Sequence, residues 1–491
     1  MSMKRISIFI SAILVTITFS CKKEEVIPEP VVKPEPPQPE KTYNDLGFTP
    51  HKDGEPYDSY EGLVMAGYQG WFGTPGDGCS HSKHENTKWY HYRENDVFKP
   101  GVLQNSIDFW PDVTEYEKTY ETEFTLPNGE KARVYSAYDE SSVLLHFKWM
   151  KEYGIDGVFM QRFVGEVINN PDGADHFNKV LESAMKGSTM YQRAICVMYD
   201  LGGFSSTNNK DLVLKDIKSI ADKYNIFDRN SGQKYYLYQN GKPLVTLWGV
   251  GFAGTKAYTT AMVSDLVDGL KEMGFSVMLG VPTYWRAGGG DTESGMALKN
   301  LIKKVDVIMP WFVGRYDNTN FDSFKTNIIP SDISWCNTNK VGYAPLCYVG
   351  SSDRNMHPNN GIVGRFKGEF YWKQAYYDIS KGAKMLYIAM FDEIDEGTAI
   401  FKCLNQKDVP SNVAATDYYV VYRGGNYYKR STPTEVDESK GEWCTKVNDL
   451  NIGFVGIEDD LGSDYYLWLV GQSRAMLRGE IPLESSIPVR K

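Results

Sequence analysis

Short apolar runs that alternate with amphipathic helices constrain the fold of this chain more than any other feature of its sequence. Eight runs are predicted strands, at residues 63–71, 155–163, 194–200, 243–250, 276–284, 305–313, 342–349 and 385–391. Apolar residues at helical spacing predict helices at 141–153, 174–185, 211–224, 260–273, 294–304, 370–381 and 464–477. This alternation is typical of a parallel sheet with crossover helices, and eight strands close naturally into a (β/α)8 barrel. We therefore expect an α/β, TIM-type barrel with long loops at the carboxyl ends of its strands.

The N-terminal 41 residues differ from the rest of the chain. Lys4 and Arg5 precede an apolar run over residues 6–19, which Cys21 follows closely. Residues 1–21 resemble a bacterial lipoprotein signal with a lipobox, in which the Cys21 thiol is acylated after cleavage. An ordinary signal peptide is the alternative. Residues 22–41 are rich in proline and charge, which predicts an extended, flexible linker, and leaves residues 42–491 as one catalytic domain.

The amino-acid composition of the chain limits the kinds of molecule that it is expected to bind. The net charge is −10, and no basic cluster with interleaved aromatic residues is present, which argues against nucleic acid. Aromatic residues make up 14% of the chain, and flat rings suit stacking on sugars. The seven histidines show no His-x-His or His-Glu-x-x-His pair, so no metal or cofactor is predicted. The cysteines lack metal-ligand spacing, and a Cys403–Cys444 disulfide is one open alternative for two of them.

The last predicted strand runs directly into four acids, Asp392, Glu393, Asp395 and Glu396. Carboxylates this close together raise one another's pKa values, a condition typical of acid–base catalysis. Glu393 and Glu396 can lie on one loop and flank a single bond. A solvated acidic loop or a cation site that uses Asp392 and Asp395 is the alternative.

Rings and charges also stand at the ends of the other predicted strands. Because active sites of (β/α)8 barrels lie at the carboxyl ends of the strands, these residues predict an aromatic-walled, polar cleft. The predicted substrate-binding residues from this argument are Tyr68, Trp71, Arg162, Asp200, Trp248, Trp285, Arg286, Trp311, Tyr348, Arg354 and Asp392.

Several of these segments resemble a known family. The segment Phe-Asp-Glu-Ile-Asp-Glu-Gly-Thr-Ala-Ile at 391–400 is similar to the catalytic loop of glycoside hydrolase family 99. The segment Gly-Tyr-Gln-Gly-Trp-Phe-Gly-Thr-Pro at 67–75, with Asp77, Trp89 and His91 after it, resembles the first strand of that family. Residues 308–314, and 344–350 with Arg354, are similar to its sixth and seventh strands. The resemblance spans most of residues 60–405 and adds Asp77, Trp89 and His91 to the predicted substrate-binding residues.

The resemblance implies a retaining glycosidase, in the family an endo-acting α-mannosidase that works without a metal. Glu393 takes the position of the base that activates the 2-hydroxyl of the sugar, and Glu396 that of the general acid, which then acts as base. Ile394, Asp395 and Trp311 depart from the family's residues at positions that line the sugar subsites.

Together these features predict a surface lipoprotein. We expect a monomeric glycosidase, anchored in the outer membrane by its N-terminal lipid and exposed at the cell surface, that cleaves an α-linked, mannan-like polysaccharide or oligosaccharide. A catalytically inactive glycan-binding barrel and a metal-dependent hydrolase are the alternatives from other classes. Two retained glutamates favour the enzyme, because a binding protein has no need for both.

Overall fold

The computed structural model describes residues 46–79, 88–93, 97–170, 174–205, 207–254 and 256–490. The predicted lipoprotein signal at 1–21 and the linker at 22–41 lie outside these residues. Within the described ranges, no helix is both long enough and apolar enough to cross a membrane.

Eight parallel strands form the centre of the fold. They are β1 (Val64–Tyr68), β2 (Gly157–Phe163), β3 (Ala194–Asp200), β4 (Lys242–Trp248), β5 (Ser276–Val281), β6 (Val307–Pro310), β7 (in two pieces, Gly342–Tyr343 and Leu346–Tyr348) and β8 (Leu386–Ala389). Each strand pairs in parallel with the next along the chain, and β8 also pairs with β1, with Leu386 opposite Val64. The predicted (β/α)8 barrel is therefore confirmed.

Strand β7 closes the barrel although Ala344 and Pro345 interrupt it. Its first piece pairs with β6 and its second piece with β8. Between them, the Ala344 amide donates to the Ile308 carbonyl at 2.9 Å, and the Pro345 carbonyl accepts from the Tyr387 amide at 3.0 Å. Proline has no N–H group to donate, so the ladder shifts from one neighbour to the other at this point.

Helices surround the strands largely where the sequence predicts them. The principal ones are Glu140–Tyr153, Ala174–Tyr191, Thr207–Tyr224, Thr260–Glu272, Ala297–Ile302, Phe321–Asn327, Ile329–Asn339, Glu369–Ser380 and Tyr465–Leu477. Thr260–Glu272 shows the local cause, because the Thr259 side chain accepts a hydrogen bond from the Met262 amide at the helix start. Its buried residues, Val263, Leu266 and Leu270 among them, then recur at helical spacing.

The described residues contain three antiparallel additions that were not predicted, of which the shortest is Tyr238–Gln239, paired with the start of β4. A hairpin, Tyr120–Thr125 with Lys131–Val134, lies in the long insertion after β1. After β8, the strands Asn426–Arg430, Tyr419–Arg423 and Trp443–Lys446 form a three-stranded sheet in that order, which we call the accessory sheet. The disulfide alternative is wrong: Cys403 and Cys444 are both free thiols, Cys403 in the core and Cys444 on the half-buried edge of the accessory sheet.

Candidate active site

The four acids lie on residues 392–398, the acid loop, which begins three residues after β8 ends. Neighbouring backbone holds the loop in place. The amides of Asp108 and Phe109 both donate to the Ile394 carbonyl, at 3.0 and 3.1 Å, and the Ser352 amide donates to the Glu396 carbonyl at 2.8 Å. Gly397 has a φ of 67°, and a Cβ there would stand 2.6 Å from the Ser352 amide nitrogen. The close approach of Ser352 and the loop therefore requires glycine.

Glu393 is buried and both of its carboxyl oxygens are hydrogen-bonded. The Thr398 hydroxyl donates to Oε2 at 2.5 Å, and the Gln69 side-chain amide donates to Oε1. Burial, together with the nearby charges of Glu396 and Asp395, raises the pKa of Glu393 well above its usual value. The two donors oppose that shift because they favour the ionised form. The carboxyl group is thus fixed in orientation between two elements, the end of β1 and the acid loop itself.

Glu396 differs from the other three acids because its side chain is exposed to solvent. Protein nevertheless surrounds much of the carboxyl group, and this desolvation, with the charges of Asp395 and Asp353, raises its pKa to about 7. Among the described residues, none donates a hydrogen bond to its carboxyl oxygens. Glu396 is therefore a reachable carboxyl group that holds or releases a proton near neutral pH.

Asp392 joins the acid loop to β1. Its oxygens accept hydrogen bonds from the backbone amides of Gln69 and Gly70, at 2.8 and 2.9 Å. Burial raises its pKa to about 7 in spite of these two donors. Asp392 was predicted to contact substrate, but its fully buried carboxyl is occupied by backbone, so its place in this structure is that of a support for the loop.

Asp395 connects the loop to a half-exposed aromatic pair. Its Oδ2 atom lies 3.3 Å from Nδ1 of His91, whose ring stacks on Trp71 with centroids 3.8 Å apart and planes 5° apart. Burial, together with the charge of Asp108, raises the pKa of Asp395 to about 8. Trp71 and His91, two of the predicted substrate-binding residues, are thus brought beside the acids.

Four predicted substrate-binding residues lie instead between the barrel and its helices. Tyr68 is fully buried and hydrogen-bonded to His146 at 2.8 Å, and the Tyr348 hydroxyl donates to the Tyr316 carbonyl. Trp285 is 1% exposed, and its Nε1 atom donates a hydrogen bond to the Asp332 carboxylate, on the helix Ile329–Asn339, at 3.1 Å. These side chains support the fold, and in this structure they offer no surface to a ligand.

Arg162 is the fourth of these residues. Its guanidinium donates to both oxygens of Asp216, at 2.9 and 2.7 Å, and to Asn178 at 3.1 Å. Both partners lie on outer helices. Since adjacent strand residues face opposite sides, it is Gln161 that faces the barrel interior. Arg286 is also bound on the outside, where it donates to Asp332 at 2.6 Å.

The remaining predicted residues fall into separate groups. Trp248 and Trp311, both half-buried at strand ends, meet edge to face with centroids 5.1 Å apart, and Asp200 lies opposite Trp248 in the sheet register. In the strand order, β4, which ends at Trp248, stands across the barrel from β8, whereas β6, which Trp311 follows, is two strands away from β8. Asp77 accepts hydrogen bonds from the Thr74 and Cys79 amides and the Ser136 hydroxyl, and so shapes its own loop. Trp89 packs on Phe98, and the Arg354 amide donates to Asp108 at 2.9 Å.

Sequence reasoning missed several residues that support the acids. Gln69 and Thr398 hold Glu393, and Asp108 joins Ile394 to the segment that begins at Ser352. Thr398 lies inside the segment that carries the family resemblance, which was a usable signal. Gln69 lies inside the other such segment, residues 67–75, and directly after β1, so the same signal was available for it.

Arg365 was missed as well. It is 6% exposed, donates to the carbonyls of Gly397 and Ala399 at 3.0 and 2.8 Å, and lies over the rings of Phe109 and Tyr466 at 4.1 and 4.6 Å. Burial lowers its pKa. Through its hydrogen bonds to these two carbonyls, Arg365 holds the end of the acid loop in place.

In the part of the chain that the structure describes, no group of three or more histidine, cysteine or acidic side chains is arranged to hold a metal ion. Three of the four acids face different partners, since Glu393 and Asp392 bond to Gln69, Gly70 and Thr398 while Asp395 faces His91.

Comparison with known proteins finds similarity in structure alone. No family model and no curated protein matches the sequence. Two solved structures of the GH99 endo-alpha-mannosidase from Bacteroides thetaiotaomicron, one of them in complex with bis-tris-propane, superimpose with a TM-score of 0.54 at 14% identity. The match covers 85% of this chain and 98% of that one. A structure described as a glycoside hydrolase-like protein gives a TM-score of 0.43 at 13% identity, over 75% of this chain and 93% of that one. The similarity to family 99 that the sequence segments suggest is thus confirmed at the level of the fold.

Proposed function

We propose that this chain is a retaining glycoside hydrolase that cleaves an α-linked, mannan-like glycan outside the cell, with Glu393 as base and Glu396 as general acid and then base. One observation carries the proposal. A buried carboxyl group held by two hydrogen-bond donors and a solvent-exposed carboxyl group with a pKa near 7 lie three residues apart on one loop at the mouth of a barrel.

Glu396 suits the general acid because the departing glycosidic oxygen needs a proton at neutral pH. A pKa of about 7 leaves a substantial fraction of this carboxyl protonated there. Its exposure lets substrate reach it. After the leaving group departs, the ionised Glu396 takes a proton from the water that completes hydrolysis.

Glu393 suits the base because the Gln69 amide and the Thr398 hydroxyl both favour its ionised form. Its pKa is raised too, in part by the charge of Glu396, so the protonation of one carboxyl group depends on that of the other. The two donors on Glu393 favour the proton on Glu396. In the step that the family resemblance suggests, Glu393 takes the proton of the sugar 2-hydroxyl, that oxygen bonds to the anomeric carbon, and the glycosidic bond breaks as Glu396 protonates its oxygen. Water then attacks the anomeric carbon as Glu396 takes its proton, the bond from that carbon to the 2-oxygen breaks, and Glu393 returns the proton to the 2-oxygen.

This step makes Glu393 a base and not a nucleophile. A 2-deoxy-2-fluoro glycoside lacks the attacking hydroxyl and should leave no sugar on Glu393. A covalent glycosyl-Glu393 species, detected by mass spectrometry, would instead identify an ordinary double displacement and leave the glycosidase proposal standing.

Action outside the cell rests on residues 1–21, from which we propose a lipid anchor at Cys21 and exposure at the outer membrane surface. Cys21→Ala should abolish lipid attachment, measured by metabolic labelling with a palmitate analogue. An unlabelled wild-type protein would contradict the anchor.

The experiment that tests the function is a screen of the purified chain against α-linked polysaccharides, including α-mannans. Wild type should release oligosaccharides whose first-formed anomer, followed by NMR, keeps the configuration of the substrate. Glu393→Gln and Glu396→Gln should each lower the rate by about 10²–10⁴, the usual contribution of a general acid or base. Glu438→Gln, an exposed exchange of the same type near the accessory sheet, is the matched control. Binding of a glycan without turnover would instead identify a glycan-binding barrel.

A further inference from the structure

A cavity of about 620 Å³ lies between the insertion after β1 and the accessory sheet. The side chains that matter for its chemistry are Gln104, His357, Tyr427, Tyr428, Lys429 and Arg430. Its described lining contains no aspartate or glutamate. We call it the cationic pocket.

Lys429 and Arg430 are two cationic side chains of this lining. Neither forms an ion pair with a carboxylate among the described residues, although the chain as a whole carries a net charge of −10. The Lys429 ammonium donates to the neutral Gln104 side chain at 2.8 Å and lies 4.3 Å over the ring of Tyr418. The Arg430 guanidinium donates to the Lys429 carbonyl at 2.9 Å and lies 5.1 Å over Tyr428. Both cations thus keep donors for a ligand.

The surroundings of Lys429 add further positive charge. Partial burial, then the charges of Lys99 and Arg93, lower its pKa. Of the acids that the structure describes, Asp353 acts on Tyr427 through its charge, and its carboxyl oxygens already accept hydrogen bonds from Asn360, at 3.1 and 2.8 Å. Bringing an anion into the pocket would relieve the repulsion among the cations.

The cationic pocket adjoins the acid loop through two chain segments. Ser106, in its lining, is two residues from Asp108, whose amide donates to the Ile394 carbonyl. Met356 and His357, also in the lining, follow Asp353, whose charge raises the pKa of Glu396. The charge of Asp353 thus acts on Glu396 as well as on Tyr427 of the lining, which connects the acid loop with the pocket.

We propose that the cationic pocket binds an anionic substituent of the glycan, a carboxylate, sulfate or phosphate group, so that the substrate is an acidic and not a neutral glycan. Arg430, on the face of its strand that carries Tyr428, offers a planar pair of donors for such a group, and Lys429, on the face that carries Tyr427, offers a point charge. Tyr427 and Tyr428 supply ring faces for the sugar that bears it. This inference rests on the proposed function, because it assigns the substrate of the same site.

The test compares matched glycans that differ only in charge. Isothermal titration calorimetry of the full chain would use phosphorylated α-mannan and the same mannan after phosphatase treatment, polygalacturonate and its methyl ester, and a sulfated galactan and its desulfated form. The variant Lys429→Ala/Arg430→Ala removes both cations. Lys440→Ala/Lys446→Ala is the control, since these lysines lie in or beside the same accessory sheet, pair with Asp437 and Asp417 and are not in the pocket lining.

Wild type should bind the anionic member of at least one pair roughly tenfold more tightly than the neutral member, as expected for charge-assisted hydrogen bonds. The preference should shrink as salt rises. It should disappear in Lys429→Ala/Arg430→Ala and in the milder Lys429→Gln/Arg430→Gln, and remain in the control.

Equal affinity within every pair would overturn the proposal, as would a preference that survives in the pocket variants or is lost equally in the control. Its failure is distinguishable from failure of the proposed function. Turnover of a glycan without any preference for anions would support the proposed hydrolase and contradict the anion-binding pocket. Anion-dependent binding without turnover would support the pocket and contradict the hydrolase.

Discussion

The hydrogen bond from Thr398 to Glu393 links the structure of the acid loop directly to a pH profile. Thr398 is fully buried and its hydroxyl lies 2.5 Å from Glu393 Oε2. Thr398→Val replaces that hydroxyl with a methyl group of similar size. A hydrogen bond to a charged group is worth about 1.5–3 kcal/mol. Since one pKa unit corresponds to about 1.36 kcal/mol, the pKa of Glu393 should rise by about one to two units.

The direction of the pKa shift follows from which protonation state of Glu393 the hydrogen bond from Thr398 favours. The hydroxyl stabilises the ionised carboxylate and lowers the pKa of Glu393, as does the Gln69 amide. Loss of the hydroxyl therefore raises the pKa. Because the base must be ionised to act, the rising limb of kcat/KM against pH should move to higher pH by about one to two units.

The assay is kcat/KM between about pH 4 and pH 9 on an activated aryl glycoside of the sugar that the screen identifies. Thr398→Ser, which keeps the hydroxyl, is the matched control and should follow the wild-type profile. A rate that falls equally at every pH, with the limb in place, would mean that Thr398 serves geometry alone. A limb that moves to lower pH would contradict the assigned direction of the bond.

Three further changes test the supports of the site. Asp395 is buried and its pKa is raised to about 8, so the folded protein keeps a proton on this carboxyl group that the unfolded chain loses near pH 4. The contribution of this proton to stability is therefore full below about pH 4 and is lost as the pH rises to 8. At pH 8–9, Asp395→Asn should therefore unfold at a higher urea concentration than wild type, and this difference should shrink toward pH 4. A difference that stays the same at every pH would contradict the assignment. Arg365→Met should lower the free energy of unfolding by about 2–4 kcal/mol, measured in urea, because two buried carbonyls lose their donor, and Arg365→Lys should recover part of it. Arg162→Met should cost about 3–5 kcal/mol in the same assay, because Asp216 loses its ion-pair partner, and an unchanged stability would contradict that structural role.

The fold was readable from sequence because the barrel strands are short and apolar and their helices are amphipathic. Helix Glu140–Tyr153 and strand Ala194–Asp200 differ from the prediction by one residue or none. The accessory sheet was not readable, since it lies after the last barrel strand and only one of its strands is well buried. Similarly, the shift of β7 from one neighbour to the other depends on pairing partners distant in sequence.

The site was readable only in part, for a related reason. A barrel strand is buried on both sides, so its apolar run does not show which residues face the interior and which face the helices. Tyr68, Arg162 and Tyr348 were assigned to the cleft on their position at strand ends, and all three face the helix layer. The acid loop was predicted because its acids are adjacent in sequence. Its supports, Gln69 and Arg365, are distant in sequence and gave no such signal.

The central claim is that Glu396 protonates the leaving group while Glu393 acts on the sugar, and leaving-group dependence tests it most directly. Turnover of the glycan and of the corresponding glycosyl fluoride would be compared for wild type, Glu396→Gln and Glu393→Gln. Fluoride departs without protonation, so Glu396→Gln should lose about 10²–10⁴ on the glycan and far less on the fluoride, whereas Glu393→Gln should lose heavily on both. Equal losses of Glu396→Gln on the two substrates, or a Glu393→Gln variant as active as wild type, would contradict the account.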